Sequence, residues 1–256
     1  MRLTLQLYLC TMQPDFQIPV LLYHRVINSS SVKGKHKIYL DEKKFRGQLT
    51  WLTQNEYSTI TFRDLDKQNP VSGKKVILTF DDGYYDNYSI LFPILKEYDF
   101  TAVIFLVTGM KQNEWGIKQG EPALNLLNKD QVREMSDYGI EFGAHTQHHI
   151  DLKNTPIEQQ REEISGCFAD VENLSGIKPI SFSYPFGAYN DDTLKLVKES
   201  GFRYGITTIF GPPRWEDDAY RIRRLEISPK TSMLSFARKA SGRYFSTNWL
   251  SYFLTS

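Results

Sequence analysis

At 256 residues, 41% of them hydrophobic and 14% aromatic, the chain can bury one substantial core, and a single large domain is the default organisation. Lys and Arg total 31 against 30 Asp and Glu, a net charge of +1, which leaves no strong field to gather phosphate backbones or an anionic membrane surface. Nucleic acid is therefore not an expected partner, and Cys10 and Cys167, far apart and without CxxC spacing, set no disulfide framework.

In chain order, residues 1–14 read as an N-terminal extension or a weak export signal: Arg2 precedes a short apolar run broken by Thr4 and Gln6, with no clear small-residue cleavage site. Seven strand-length apolar runs follow, at 18–23 (IPVLLY), 76–80 (VILTF), 101–107 (TAVIFLV), 139–144 (GIEFGA), 179–184 (PISFSY), 202–208 (FRYGITT) and 220–227 (YRIRRLEI). None is long enough to cross a bilayer as a helix. Between the runs, apolar residues recur at three- and four-residue spacing: Phe45, Leu49 and Leu52, then Ile90, Ile94 and Leu95, then Leu194 and Val197 before a stop at Gly201. That spacing predicts crossover helices. Strands that alternate with helices and are apolar at nearly every position imply parallel pairing, covered on both faces. The predicted fold is α/β, a distorted (β/α)7 TIM-like barrel over 15–240 in one domain, with an open doubly wound sheet as the alternative. Residues 241–256, including Trp249, Tyr252 and Phe253, form a tail without an assigned role.

The polar residues that could carry chemistry fall at the carboxyl ends of these runs. His24 follows the first, Asp81 and Asp82 the second, His145 the fourth, and Pro185, Phe186 and Gly187 come after the fifth. Sites gather at that edge of a parallel barrel. In TFDDG, Gly83 lets the chain turn away, and consecutive strand side chains diverge, so one carboxylate can bind a metal while the other stays beside a water. In HTQHH, His145 and His149 are four apart and can share a face of a helical turn, with His148 a rival at three-residue spacing. Two imidazoles with one carboxylate leave coordination positions open, as in catalytic zinc sites. One divalent ion is the expected cofactor: zinc by ligand type and availability, with cobalt or nickel as alternatives.

TFDDG, the HTxxH of His145 to His149 and YPFG at 184–187 resemble the motifs of the polysaccharide deacetylase family, carbohydrate esterase family four, in order and in strand-end placement. Phrases such as VLLYHRV, FTAVIFLVTG and FSYPFGAYND extend the resemblance over roughly residues 18–228. It implies Asp81 as catalytic base and Asp82, His145 and His149 as metal triad. It also implies an oxyanion-binding N–H at Phe186, with Tyr184 and Pro185 in the same substrate-contacting motif. Two departures stand out. The third motif commonly begins with Arg, where this chain has Ser183; Arg224 is the candidate replacement, with Arg221 and Arg223 as rivals. The family's late Leu-x-His, whose His protonates the leaving amine, has no counterpart, since no histidine follows His149. The chain's Leu-x-His is Leu22, Tyr23 and His24, and in a closed barrel the first and last strands are neighbours, so His24 is the expected acid. This permuted arrangement resembles the branch that deacetylates poly-β-1,6-N-acetylglucosamine. The implied partner is a polysaccharide, the implied product acetate, and the implied location extracytoplasmic or at the cell envelope. Peptidoglycan or chitin-oligomer deacetylation, acetylxylan esterase activity and non-catalytic carbohydrate binding are the alternatives.

Overall fold

The computed structural model describes residues 18–36, 38–65, 72–211, 213 and 218–242. The expected export segment, Cys10, and Trp249, Tyr252 and Phe253 of the tail lie outside them. The strands are β1 (Val20–Tyr23), β2 (Arg25–Ile27), β3 (Tyr39–Asp41), β4 (Tyr57–Thr59), β5 (Lys74–Phe80), β6 (Val103–Leu106), β7 (Glu141–Ala144), β8 (Ser181–Ser183), β9 (Tyr204–Phe210) and β10 (Ile222–Glu226).

The seven predicted runs become β1 and β5 to β10. They pair in parallel in the order β1-β10-β9-β8-β7-β6-β5, and β5 pairs again with β1, so the sheet closes into a seven-stranded barrel and the open-sheet alternative falls. Leu21 stands opposite Leu225, and Tyr23 opposite Phe80. The first and last strands are thus neighbours, as the argument for His24 requires. Three further strands were not expected: β4 pairs with the start of β5, and β2 pairs with β3 in a separate small sheet. Each spans three residues, too few to display a period.

Parallel strands in a closed barrel bury both faces. On β5, Ile77 joins Val20, Val103, Phe105, Ile206 and Ile222 in the barrel interior, while Val76, Leu78 and Phe80 pack outward against the helices. Gly143 on β7 carries no side chain because the interior is already filled; a Cβ there would lie 2.7 Å from Ser181 Oγ, with the Phe105 ring closer still. The outer layer contains α1 (Glu42–Gln54), α2 (Phe62–Leu65), α3 (Phe92–Glu97), α4 (Glu114–Ile117), α5 (Lys129–Tyr138), α6 (Ile157–Ser175), α7 (Asp191–Glu199) and α8 (Met233–Ala240). The Asp41 carboxylate accepts the Lys43 N–H to cap α1, which buries Phe45, Leu49 and Leu52 at the predicted spacing. Asn128 and Asn190 begin α5 and α7 with capping boxes. The helix expected around Ile90 starts instead as a π-helical turn over Asn87–Leu91 and continues as α3. No helix among the described residues is long and apolar enough to cross a membrane.

Phe45 is fully buried, edge-on to the rings of Tyr23 at 5.7 Å and Phe80 at 6.0 Å, and so couples α1 to the two strands that close the barrel. Phe45→Ala is expected to cost about 3–5 kcal/mol by transfer and cavity formation, read as a lowered midpoint of urea unfolding. A loss well under about 1 kcal/mol would show that this contact does not hold α1 in place.

Candidate active site

The two-residue period of the strands continues past their ends and decides which side chains meet. On β5, Ile77 and Thr79 face the barrel interior, so Asp81 does as well. By the same alternation Asp82 would face the helices, but its φ of 77° swings it back over the barrel mouth, and Gly83 at φ 70° completes the turn. Glu141, Gly143 and His145 continue the inward face of β7, and Ile222 and Arg224 that of β10.

Arg224 is fully buried and grips Asp81 with two parallel bonds, Nη1 to Oδ1 and Nη2 to Oδ2, both 2.7 Å. Its remaining donors reach the Thr207 carbonyl at 3.0 Å, Thr79 Oγ1 at 3.1 Å and Ser183 Oγ at 3.0 Å, so the guanidinium is satisfied without water. Ser183 in turn lies 3.3 Å from Asp81 Oδ2. Burial alone would raise the Asp81 pKa, but the charge and hydrogen bonds of Arg224 hold it below the usual carboxylate range. Of the three candidate arginines, Arg224 is therefore the one whose guanidinium binds Asp81. Arg221 pairs instead with Asp218 at 2.7 Å, toward solvent.

Asp82, His145 and His149 form a buried cluster whose ligand atoms lie within 4.8 Å of one another. Asp82 Oδ1 stands 3.4 Å from His145 Nε2 and 3.3 Å from His149 Nε2, yet it has no hydrogen-bond partner. Two ligands each about 2.0–2.1 Å from a tetrahedral ion stand roughly 3.3–3.4 Å apart, so the cluster fits one small divalent cation. His145 Nδ1–H donates to the Ser183 carbonyl at 2.7 Å, which leaves Nε2 as the free ligand atom. Burial, opposed by the nearby negative charge of Asp82, keeps the His149 pKa below its usual value, which favours the neutral ring that a metal requires.

The HTQHH segment is not a helical turn. It is an irregular loop in which Thr146 at φ 63° and His149 at φ 52° bring the two rings together. Glu163 on α6 holds the loop: Oε2 accepts the N–H groups of Gln147 and His148, both at 2.9 Å, and Oε1 receives His148 Nδ1–H at 2.6 Å. That bond turns His148 away from the cluster and answers its candidacy as a ligand.

His24 is half-buried at the end of β1, its carbonyl accepting Asn87 Nδ2 at 3.0 Å. Tyr23 pairs with Phe80, so His24 stands at the same edge of the barrel as Asp81, each one residue past its strand. Phe186 is 54% exposed at φ 58°, its ring edge-on to His149. The turn that presents its amide is closed by Gly187 N–H to Tyr184 O at 2.9 Å and Ala188 N–H to Pro185 O at 3.0 Å. Tyr184 and Pro185, expected in a substrate-contacting motif, are placed inside the protein. Both are buried, and the Tyr184 hydroxyl donates to the Tyr220 carbonyl at 3.0 Å, so they shape the turn and offer no surface to a polymer. Sequence reasoning missed Glu163 and also Trp115, which stacks on His149 with centroids 4.4 Å apart. Neither carries a motif; each is one polar or aromatic residue in an otherwise ordinary segment.

A barrel with an Asp-His-His cluster and a buried Asp-Arg pair at its mouth is the frame of a hydrolase. The polysaccharide deacetylase family model matches residues 68–205, more than half of the chain, and the chain belongs to that family of carbohydrate-directed amide hydrolases. YxkH of Bacillus subtilis, named as a polysaccharide deacetylase, is 30% identical over 227 residues, covering 86% of this chain and 75% of its own. The poly-beta-1,6-N-acetyl-D-glucosamine N-deacetylase of Staphylococcus epidermidis is 28% identical over 228 residues, covering 80% of this chain and 77% of its own. Among solved structures, the deacetylase PplD of Streptococcus pyogenes in complex with acetate superposes with a TM-score of 0.75 at 27% identity, over 88% of this chain and 98% of that one.

Arg224→Met is expected to destabilise the protein by about 3–5 kcal/mol at neutral pH, because Asp81 is left buried without a counter-charge. The wild-type pair stabilises above the unfolded carboxylate pKa and fades only as pH falls through the depressed folded value. In the variant, Asp81 takes up a proton more readily as pH falls, so the deficit shrinks toward acid. Urea unfolding at pH 7.5 and pH 4 reads both effects, and a deficit that grew toward acid would contradict the assignment.

Proposed function

We propose that the protein removes N-acetyl groups from a β-linked N-acetylglucosamine polysaccharide, with poly-β-1,6-N-acetylglucosamine as the leading substrate. The observation that carries this reading is the convergence of Asp81, Asp82, His24, His145, His149 and Arg224 at one barrel mouth, with the relatives of that activity supporting the choice of glycan.

In this reading Asp82, His145 and His149 hold one divalent ion, zinc by default from the donor set, which supplies Lewis acidity for activating water and polarising the acetamide carbonyl. Asp81, fixed in plane by Arg224 and ionised throughout the neutral range, takes the proton of the attacking water. The water oxygen bonds to the carbonyl carbon, and the Phe186 N–H meets the negative charge on the former carbonyl oxygen. The carbon–nitrogen bond then breaks, the nitrogen takes a proton from His24, and acetate and a free amine leave. The acid is essential for an amide because an amide anion is a poor leaving group, whereas an alkoxide leaves more readily. Exposed Phe186 offers a sugar ring an apolar face at the lip of the site.

Acetate release from β-1,6-linked N-acetylglucosamine oligomers, with free amines formed in equal amount, is the expected result for zinc-, cobalt- or nickel-loaded protein. Release from acetylated xylan but not from the oligomers would overturn the substrate, and a peptidoglycan and chitin-oligomer panel separates the remaining glycans. Asp82→Asn is expected to lose metal, whereas Asp81→Asn keeps metal and loses turnover; equal metal loss in both would overturn the division of roles. His24→Ala is expected to keep metal and lose about 10²–10⁴-fold in rate on the amide, with a smaller loss on an acetyl ester. An unchanged amide rate would return His24 to a structural role.

A further inference from the structure

We propose that Trp115 is a positioning residue for His149, holding the ring by stacking where a metal-ligating histidine ordinarily relies on a hydrogen bond. The inference rests on the metal-triad reading above. The two histidines are oriented by different means. His145 donates Nδ1–H to the Ser183 carbonyl at 2.7 Å, the usual arrangement for a ligand ring. His149 Nδ1 is buried and has no hydrogen-bond partner among the described residues. Its ring lies instead between two others. Trp115 stacks on it, centroids 4.4 Å apart and planes 18° from parallel, and Phe186 meets it at 4.5 Å and 81°.

A ring confined in this way cannot turn about its Cβ–Cγ bond without driving an edge into the indole face. The stack therefore fixes the direction in which Nε2 points, toward Asp82 Oδ1 at 3.3 Å. With no acceptor behind Nδ1 among the described residues, none of them adds to the ring's basicity through a hydrogen bond, and its orientation is the part of its affinity that they control.

Trp115 is itself braced. It sits in α4, within the connection between β6 and β7, and that connection is tied to the segment after Asp82. Leu127 N–H donates to Gly83 O at 2.8 Å, Tyr85 N–H to Asn125 O at 2.9 Å, and Tyr84 bridges Leu126. Fully buried Asn113 closes the base of the turn, accepting Leu124 N–H at 2.7 Å and donating to Pro122 O at 3.1 Å. The Tyr84 ring lies 6.3 Å from Trp115 and under the Arg25 guanidinium at 5.3 Å, with Arg25 Nε bonded to Asp86 at 2.7 Å. A chain of packed groups thus runs from the end of β1 through the first motif to the second histidine of the second.

The test compares wild type, Trp115→Ala, Trp115→Leu, Trp115→Phe and Asp82→Asn for zinc and cobalt affinity by competition with a chromophoric chelator. The visible absorption of the cobalt-loaded protein and the thermal melting of the metal-free protein are recorded for each. Trp115→Ala and Trp115→Leu are expected to bind about 10–100-fold more weakly and to give an altered cobalt spectrum, while Trp115→Phe, which keeps a flat ring, restores most of both. The leucine variant fills the space without a flat face, so it decides the matter if the alanine variant fails to fold. Wild-type affinity and an unchanged cobalt spectrum in Trp115→Leu would overturn the proposal. A wild-type protein that binds no cobalt, or an Asp82→Asn that binds it equally well, would instead overturn the metal triad itself.

Discussion

The buried bidentate bridge between Arg224 and Asp81 is the contact on which the geometry of the site depends. Its partners lie 143 residues apart in the sequence, Asp81 after β5 and Arg224 within β10, and the strand that pairs with both β5 and β10 is β1. The bridge can form only when β1 closes the barrel, and β1 is also the strand that ends in His24. One act of closure therefore delivers Asp81, the Arg224 guanidinium and His24 to neighbouring strand ends. Taking two charges out of water costs several kcal/mol for each ion, so such a pair is retained only with good geometry and with every donor occupied. Arg224 meets that condition through Thr79, Ser183 and the Thr207 carbonyl.

The same bridge limits Asp81. A carboxylate held below its ordinary pKa is a weaker proton acceptor than a free one, but it is ionised and correctly oriented at every neutral pH. Ser183 shows how the arginine could come from β10. Its hydroxyl sits between Arg224 Nη2 and Asp81 Oδ2, and its carbonyl receives His145 Nδ1–H. A long cationic side chain at 183 would compete for the space that the Arg224 guanidinium fills. A serine there leaves that space open while joining Asp81 to His145 through one residue. The positive charge that holds Asp81 thus comes from β10 and not from the strand that carries Ser183.

The sequence revealed what depends on period and position. Seven apolar runs became the seven barrel strands, and the residues placed at their carboxyl ends, His24, Asp81, Asp82 and His145, meet at one mouth because every pairing among those strands is parallel. Features that depend on irregular backbone were not legible. Four-residue spacing suggested that His145 and His149 share a helical face, whereas two left-handed residues in a loop achieve their convergence. Tyr184 belongs to a functional motif, but alternation along β8 sends its side chain outward to the helices while Ser183 takes the inward position. Glu163 and Trp115 were invisible for another reason. Each acts on the site from a distant segment, and a glutamate on a surface helix or a tryptophan in a connection looks ordinary until the fold places it.

The irregular backbone is itself concentrated where the chemistry is. Among the described residues, four of the six non-glycine positions with positive φ are Asp82, Thr146, His149 and Phe186. Each left-handed conformation is disfavoured for a residue with a Cβ, at a cost on the order of 1–3 kcal/mol, and persists only where the surroundings over-determine it. Glycine would relieve the strain at any of these positions but would remove the Asp82 carboxylate, the His149 imidazole or the aromatic face at Phe186. The strain is therefore set by the need for a functional side chain at a point where the chain must also turn. What opposes it is the regular part of the molecule: the filled barrel interior beneath, the Glu163 bonds behind the histidine loop, and the Arg224 bridge beside Asp82. A more relaxed loop at any of these positions would be cheaper to fold and would no longer aim Asp82, His145 and His149 at one point.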